Sequence, residues 1–176
     1  KDAFQLHKHY PFVELALLHR LTGRQDYAEA LLAGLTSWKK EFPPNIGIGW
    51  NGNVHVAQRM VAWLFVYLFL QDGSGSTGKK ICREIVSGLQ EHAFVLHGRY
   101  QVPANNHRLG SLCALIIHSW LMDSGRRPRR LTRYLKDLAD CVTDLISATG
   151  TPQEGSLAYG KFILEFLLLL QLFAGT

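Results

Sequence analysis

The 176-residue sequence is poor in cysteine and lacks the close cysteine pairs that mark common metal and redox sites. Its three cysteines are Cys82, Cys113 and Cys141, and no Cys-x-x-Cys pair occurs. This spacing excludes a zinc ribbon and a thioredoxin-like motif. Each cysteine falls within a helical pattern, which predicts a small buried apolar side chain rather than a ligand.

Metal-binding spacing is also missing among the eight histidines. His7 and His9 lie near a chain end that we expect to fray, and His92 and His97 are five residues apart rather than four. Metal-binding histidines on one helix face are usually spaced by four. The sequence therefore predicts no metal ligand and no cofactor.

Long apolar runs are absent. The run at residues 61–70 has ten apolar residues, which is too short to span a bilayer and predicts a buried helix. The first ten residues, KDAFQLHKHY, show no signal peptide. Because the chain has no initiating Met and closes on a strong helical pattern, we expect a segment of a longer protein, and the sequence leaves its location unassigned.

The composition is that of a folded globular domain. The chain is 47% hydrophobic and 19% charged, and its length predicts a single domain over residues 1–176. Its formal net charge is +5. This excess favours acidic partners, which include nucleic acid, anionic lipid and acidic polysaccharide.

Apolar residues recur at helical spacing along almost the whole chain, and almost no period-two pattern indicates a strand. Short loops rich in glycine or proline separate seven predicted helices, at about residues 12–21, 26–42, 54–71, 79–96, 106–122, 131–146 and 156–173. Short connections favour antiparallel neighbours. The expected fold is therefore all-α, with helical hairpins curved into an incomplete (α/α) toroid or barrel.

Two basic stretches resemble nucleotide or phosphate sites. GSGSTGKK, residues 73–80, matches a P-loop pattern, but Lys80 stands where magnesium binding needs Ser or Thr, and a helix precedes the stretch. We interpret it as a flexible turn. GRRPRRLTRYLK, residues 125–136, has the charge to contact phosphates or sulfated sugars. A solvated turn and helix face explains it equally, and no pattern indicates specific DNA binding.

Polar residues gather at the starts of the third, fifth and seventh predicted helices. The three sets are Trp50, Asn53, His55 and Arg59; Asn105, Asn106 and His107; and Glu154, Ser156 and Tyr159. In a ring of helical hairpins, alternate helices start at the same end of the ring. The sequence therefore predicts that the three sets converge at one mouth. Simple helix capping, for which Asn is favoured, is the structural alternative.

These motifs resemble the helical N-terminal domain of the heparinase II/III family of polysaccharide lyases, over roughly residues 15–173. The similar stretches are RLTGRQDYAEALLAGLTSWKKEFPP, WNGNVHVAQRMVAW, NNH before an apolar helix, and EGSLAY. The sequence departs from the family pattern at His55, where Glu or Gln is common, and at Gly160, where His is common. The family's C-terminal β-sandwich, which supplies a further catalytic His, is absent from these 176 residues.

The resemblance implies β-elimination at a uronic acid in an acidic polysaccharide, without a cofactor, and a periplasmic or secreted location. It implies catalytic roles for Asn106, His107 and Tyr159. Asn106 would donate a hydrogen bond to the uronate carboxylate, where negative charge builds up. His107 would assist or act as base, and Tyr159 would be the acid or, as a phenolate stabilised by a cation such as Arg59, the base.

Six further residues are predicted to bind substrate: Trp50, Asn53, His55, Arg59, Asn105 and Glu154. Trp50 would stack on a sugar ring and Arg59 would pair with a carboxylate or sulfate. Their structural alternatives are a loop anchor and an ion pair within the domain. Two other functions remain open: a noncatalytic domain that binds acidic polysaccharide, and a helical-toroid glycoside hydrolase, which needs two facing carboxylates. Glu154 is the one acid predicted at the mouth.

Overall fold

The computed structural model describes residues 7–72, 75–122, 129–153 and 155–174. Within these ranges the chain forms seven α-helices and one short 3-10 helix at Ile48–Trp50, and it forms no strand beyond an isolated bridge between Ile146 and Pro152. The all-α prediction is confirmed. The helices are α1 (Tyr10–Thr22), α2 (Gln25–Glu41), α3 (Asn53–Leu70), α4 (Gly75–Arg99), α5 (Asn106–Met122), α6 (Arg129–Leu145) and α7 (Leu157–Ala174).

The helix ends follow local signals in the sequence. Gly23 adopts φ 70 and donates its backbone N–H to His19 O at 2.8 Å, which ends α1 at the predicted Thr-Gly turn. Asn105 caps the start of α5. The turn predicted before α4 is shorter than expected, because the helix already begins at Gly75. Gly78 is buried, so it extends the buried stripe that continues at Ile81 and Ile85.

The helices group into two compact units. Unit 1 comprises Lys1–Asn51 and Gln58–Val95, and unit 2 comprises Gly52–Ala57 and Leu96–Thr176. Compact units of this kind also occur within single domains, so the single-domain prediction stays a prediction.

In unit 1, α1 and α2 pack against each other. A methyl group at Gly34 of α2 would lie 2.9 Å from Cε1 of Phe12, so the small residue permits this close approach. Helix α2 buries Ala28, Leu31 and Leu35 at helical spacing. This packing gives the unit its aliphatic core.

In unit 2, α5 packs against both α6 and α7. Every residue of α5 from position 109 to position 117 is buried, as expected of a helix that is apolar on all sides. Helix α6 turns one stripe inward, at Leu131, Tyr134, Leu138, Cys141 and Leu145, and α7 does so at Ile163, Phe166, Leu170 and Phe173. Because α5 packs against α7, the position of its first turn relative to α7 is set by this packing.

The three cysteines are free thiols, of which Cys113 and Cys141 are buried and Cys82 is half-buried. The prediction of buried apolar residues is therefore confirmed for Cys113 and Cys141. Burial is the main cause that raises the pKa of each of the three thiols, so it keeps them protonated.

Two described helices are long and apolar enough to cross a membrane by length and composition. Asn53–Leu70 has a mean hydropathy of 1.2 and is 56% buried, and Leu157–Ala174 has a mean hydropathy of 1.7 and is 22% buried. Core helices of folded proteins meet the same criterion, so the two helices are weak support for a membrane span.

Candidate functional site

The first polar residue before α5 has a structural role. The side-chain oxygen Oδ1 of Asn105 accepts a hydrogen bond from the backbone N–H of Arg108 at 2.9 Å, and the Asn105 carbonyl accepts one from the Leu109 N–H at 3.1 Å. These are the contacts of an N-cap residue. Within the Asn-Asn-His sequence, Asn105 is therefore a helix cap, as the structural alternative stated. Its predicted contact with substrate stays a prediction.

Asn106 and His107 form the first turn of α5, and capping does not occupy their side chains. Asn106 is half-buried and His107 is exposed. Within the described part of the chain, neither side chain makes a hydrogen bond, although the His107 carbonyl accepts one from Ser111 Oγ at 2.8 Å. An amide and an imidazole are thus held on a fixed helix start with their polar atoms available to a ligand.

Helix α7 contacts α5 at Gly110, in the second turn of α5. A methyl group at Gly110 would lie 3.4 Å from Cζ of Phe162 and 3.5 Å from Cζ of Phe166. Gly110 comes four residues after Asn106, and Phe162 comes three residues after Tyr159. Because a helix rises about 1.5 Å per residue, both polar side chains begin roughly one turn from this contact.

Helical periodicity places these residues on the facing sides of α5 and α7. Asn106 and Gly110 are separated by four residues, so they share the side of α5 that meets α7. Tyr159 precedes the buried Ile163 by four residues and Phe166 by seven, which continues the buried stripe of α7 toward its start. Tyr159 is 44% exposed. Unit 2 therefore contains a half-buried amide and an exposed imidazole in the first turn of α5 and an exposed phenol in the first turn of α7.

The loop before α7 explains one departure from the family pattern. A methyl group at Gly160 would lie 3.0 Å from Cγ of Pro152. This contact is tighter than an ordinary packed contact, so a histidine at position 160 would require the loop to move. Glu154, predicted to bind substrate, lies outside the described residues.

Two other predicted binding residues also belong to unit 2. Asn53 donates its side-chain N–H to the carbonyl of Arg99 at 2.8 Å, so it ties the start of α3 to the last residue of α4. His55 is half-buried, and a methyl group at Gly52 would lie 3.2 Å from its Cδ2. Their predicted contacts with substrate stay predictions.

Arg59 and Trp50, the other two predicted binding residues, lie in the interior of unit 1. Arg59 is 0% exposed and Trp50 is 2% exposed. The Trp50 indole Nε1–H donates to the Phe42 carbonyl at 3.0 Å, as expected of a loop anchor. A direct contact between these side chains and a sugar would require them to move, and their predicted roles stay predictions.

The guanidinium of Arg59 is held by two carbonyls, an imidazole and two indole rings, although its buried Nη2 has no hydrogen-bond partner among the described residues. Its Nη1–H donates to the carbonyls of Gly49 at 2.7 Å and His7 at 3.1 Å. Its carbon Cζ lies 4.5 Å from the ring centre of Trp38 and 4.9 Å from that of Trp50. Burial lowers the pKa of Arg59 to about 9, so the group stays charged at neutral pH. None of the described ion pairs includes Arg59, and the faces of the two indole rings stabilise its charge instead.

Three buried histidines surround this cation in fixed tautomers. Arg59 Nε–H donates to Nε2 of His92 at 2.7 Å, and the other ring nitrogen of His92 lies 2.6 Å from the Gly88 carbonyl, to which it donates. The indole N–H groups of Trp38 and Trp63 donate to Nδ1 of His7 at 3.0 Å and of His9 at 2.8 Å.

All three imidazoles are neutral. Burial first and the Arg59 charge second lower the pKa of His7, His9 and His92, to about 2 for His9. The His7 and His9 rings are 7% and 2% exposed, so both are ordered parts of the interior, whereas the chain end before them lies outside the described residues. Sequence reasoning missed this cluster because its members are separated by up to 85 positions, His7 to His92, and carry no spacing signal.

With this geometry described, known proteins give no relative. No family model, no curated protein and no solved structure matches the chain. The resemblance to heparinase II/III lyases therefore rests on the sequence motifs alone. Among the residues that the structure describes, no group of three or more His, Cys, Asp or Glu side chains is arranged to hold a metal ion.

Proposed function

We propose that the chain is the helical domain of a polysaccharide lyase, an incomplete (α/α) toroid that cleaves a uronic-acid-containing glycan by β-elimination. The observation that carries the proposal is the packing of Gly110 in α5 against Phe162 and Phe166 in α7. This packing supports the proposal that Asn106, His107 and Tyr159 lie at one end of a helix pair within unit 2. Four motifs in family order add to that support.

The first requirement of β-elimination is stabilisation of the uronate carboxylate as charge builds up on it. When the C5 proton leaves, negative charge spreads onto the neighbouring carboxylate. The Asn106 amide donates a hydrogen bond there, and the start of α5 adds the positive end of a helix dipole with no acidic residue in its first turn. Such contacts accelerate the reaction because they strengthen in the transition state.

The second requirement is a pair of groups that move protons. A base removes the C5 proton, the freed electron pair forms the C4–C5 double bond, and the C4–O bond breaks. The leaving oxygen then takes a proton from an acid. We assign the base to His107 and the acid to Tyr159, whose side chain belongs to a residue that is 44% exposed. The family resemblance adds a further catalytic His from a β-sandwich, so we expect the 176 residues alone to be weakly active or inactive.

A noncatalytic domain that binds acidic polysaccharide is the second candidate. The exposed cations Arg129, Arg130, Arg133 and Lys136 on α6 favour it. Binding of this kind does not need the Tyr159 hydroxyl. Two observations therefore distinguish the two functions: whether a cleavage product forms, and whether removal of the Tyr159 hydroxyl has an effect.

The test uses the full-length protein with alginate and heparan sulfate, and it follows the ultraviolet absorbance of unsaturated uronate. We expect absorbance to rise, and Tyr159→Phe to lower turnover about 10²–10⁴-fold with little change in substrate binding. Tyr27→Phe removes a hydroxyl from unit 1 and serves as the matched control, with turnover unchanged. Saturated products would replace the lyase with a hydrolase. Salt-sensitive binding without any cleavage would support the noncatalytic domain.

A further inference from the structure

A cationic cluster occupies the first two turns of α6 in unit 2. Arg129, Arg130, Arg133 and Lys136 are all exposed. Arg133 lies 3.7 Å from Asp137 and Lys136 lies 3.3 Å from Asp140, whereas Arg129 and Arg130 form no ion pair within the described residues. The first turn of α6 has no acidic residue. Cations at a helix start are disfavoured by the helix dipole, so the cluster concentrates positive potential at this point.

His97, near the end of α4, faces the same part of α6. The Tyr134 hydroxyl lies 2.8 Å from Nδ1 of His97, and the two rings meet edge to face with their centres 5.9 Å apart. Arg130 precedes Tyr134 by four residues, so it shares the side of α6 that contacts His97. Tyr134 occupies Nδ1 and leaves Nε2 of the half-buried imidazole for another partner.

The charges around His97 are strongly unbalanced. The groups that act on it are Arg130, Arg133 and Tyr134 on α6, and Tyr100, whose ring centre lies 6.2 Å from that of His97. Asp137 is already engaged, since it accepts a hydrogen bond from the Tyr100 hydroxyl at 2.9 Å and pairs with Arg133. Burial, Arg130 and Arg133 together lower the pKa of His97. Both guanidinium groups therefore act on this imidazole.

We propose that His97, Arg130 and Arg133 form a subsite for an oxyanion of an acidic glycan, either a carboxylate or a sulfate. The residues of this subsite are separate from Asn106, His107 and Tyr159. The class of polymer rests on the proposed function, whereas the charge cluster does not. Arginine provides paired N–H donors that match the oxygens of both anions.

The exposed face of α6 argues for isolated anionic groups rather than a nucleic-acid backbone. Asp140 and Asp144 are exposed further along the same helix. Their charges would repel a continuous track of phosphates beyond the first two turns. A glycan that carries one carboxylate or sulfate per sugar places its charge at the cluster without following the helix.

Binding at this subsite is coupled to the protonation of His97. A bound anion favours the imidazolium, so it raises the pKa of His97, and the complex takes up a proton. Affinity therefore increases as the pH falls from 8 to 5.5. With the anion present, Nε2–H donates to an anion oxygen and Nδ1–H donates to the Tyr134 oxygen.

The test uses the 176-residue chain with two probes, a heparin octasaccharide and an oligogalacturonate of equal length, at pH 5.5 and pH 8. We expect Arg130→Ala to weaken binding roughly tenfold at pH 5.5, the loss expected of one charge-assisted contact. The matched control is Arg83→Ala, the same charge change at an exposed site in unit 1, which should alter affinity less than about twofold. His97→Gln should remove the pH dependence.

Nuclear magnetic resonance of the His97 ring gives a second readout that is independent of affinity. Arg130→Ala should raise the pKa of His97 in the free chain, and the probe should raise it in the wild type. Binding of heparin alone assigns a sulfate, binding of the uronate alone assigns a carboxylate, and binding of both assigns a general oxyanion subsite. Equal losses in Arg83→Ala and Arg130→Ala, an unmoved His97 titration, or preference for an oligonucleotide would overturn the proposal.

The lyase proposal fails on different data. Saturated products or absent cleavage would reject the proposed function while leaving the binding and titration results intact. An unsaturated product together with unchanged binding by Arg130→Ala would reject the subsite alone.

Discussion

The two units hold polar clusters built from similar residues, and they use them in opposite ways. In unit 1, Arg59 and the imidazoles of His7, His9 and His92 are buried and joined by hydrogen bonds to indoles and carbonyls. In unit 2, His107 and Tyr159 are exposed. Both clusters contain histidine. Burial and hydrogen-bond partners, not residue type, separate an internal framework from a candidate site.

The difference has an energetic meaning. Each polar group in the buried Arg59–histidine cluster of unit 1 has been removed from water, so the loss of one partner leaves another buried and unpaired. The side chains at the starts of α5 and α7 keep access to solvent, so their removal costs the fold little. Substitutions should therefore act on stability in unit 1 and on ligand or turnover in unit 2.

The largest expected effect comes from Arg59→Ala. This change leaves three buried acceptors without their donor, namely the Gly49 and His7 carbonyls and Nε2 of His92. We expect it to lower the free energy of unfolding by about 3–5 kcal/mol. Urea denaturation followed by tryptophan fluorescence measures it. Tyr159→Phe is the counterpart in unit 2 and should change stability by less than about 0.5 kcal/mol. A loss below about 1 kcal/mol in Arg59→Ala would mean that Arg59 is not structural.

The second largest expected effect is a loss of stability at low pH, caused by the buried histidines of unit 1. The pKa values of His7, His9 and His92 are lowered on folding, so below the reference value the unfolded chain binds protons that the folded chain does not. Stability is therefore complete above about pH 6.5 and decreases below it.

His9 alone should cost about 2 kcal/mol between pH 6.5 and pH 5, because each unit of pH is worth about 1.4 kcal/mol. The measurement is urea unfolding at a series of pH values, with Trp120→Phe so that the remaining tryptophans report unit 1. A pH-independent stability in this range would show that the imidazoles are not buried as described.

Two glycines in α4, Gly88 in unit 1 and Gly98 in unit 2, differ in how closely other side chains approach them. A methyl group at Gly88 would lie 2.1 Å from Cζ3 of Trp63, whereas nothing lies within 4 Å of one at Gly98. Gly88→Ala should lower stability by about 1–3 kcal/mol through overpacking. Gly98→Ala should raise it by up to about 1 kcal/mol, since alanine favours the helix. Thermal unfolding of both variants is the measurement, and equal effects would contradict the Trp63 contact.

The smallest stability effect distinguishes two adjacent asparagines in unit 2. Asn105→Ala removes the cap from α5 and should cost about 1 kcal/mol. Asn106→Ala should leave stability almost unchanged, and under the proposed function it should slow turnover of the full-length protein by about 10²-fold or more, because its amide would act on the carboxylate. Denaturation and the unsaturated-uronate assay measure the two quantities. The reverse pattern would exchange the roles of the two residues.

Much of the fold was predictable because helices are encoded locally. The predicted fifth helix, residues 106–122, matches α5 (Asn106–Met122). The start of α4 was missed because the glycines at positions 73, 75 and 78 indicate a turn, whereas the burial of Gly78 favours the helix. Tertiary packing outweighs a local preference of about 1 kcal/mol per glycine.

The candidate site was only partly predictable. The sequence identified Asn106, His107 and Tyr159 as polar residues at helix starts, and the polar cluster of the interior escaped notice because its members are scattered in the chain. Arg59 shows the limit clearly. At position 59 it reads as a cation on a helix face, and the structure surrounds it with Trp38, Trp50 and His92.

The sequence by itself determined the all-α class, the approximate bounds of the helices and the chemical types available at each helix start, because periodicity and turn residues act over a few neighbouring positions. Only the tertiary structure decided that Asn105 caps a helix, that Arg59 and Trp50 are buried, and that Gly110 brings α5 against Phe162 of α7. The physical reason is that burial and hydrogen bonding join residues tens of positions apart, and such contacts leave no periodic trace in the sequence.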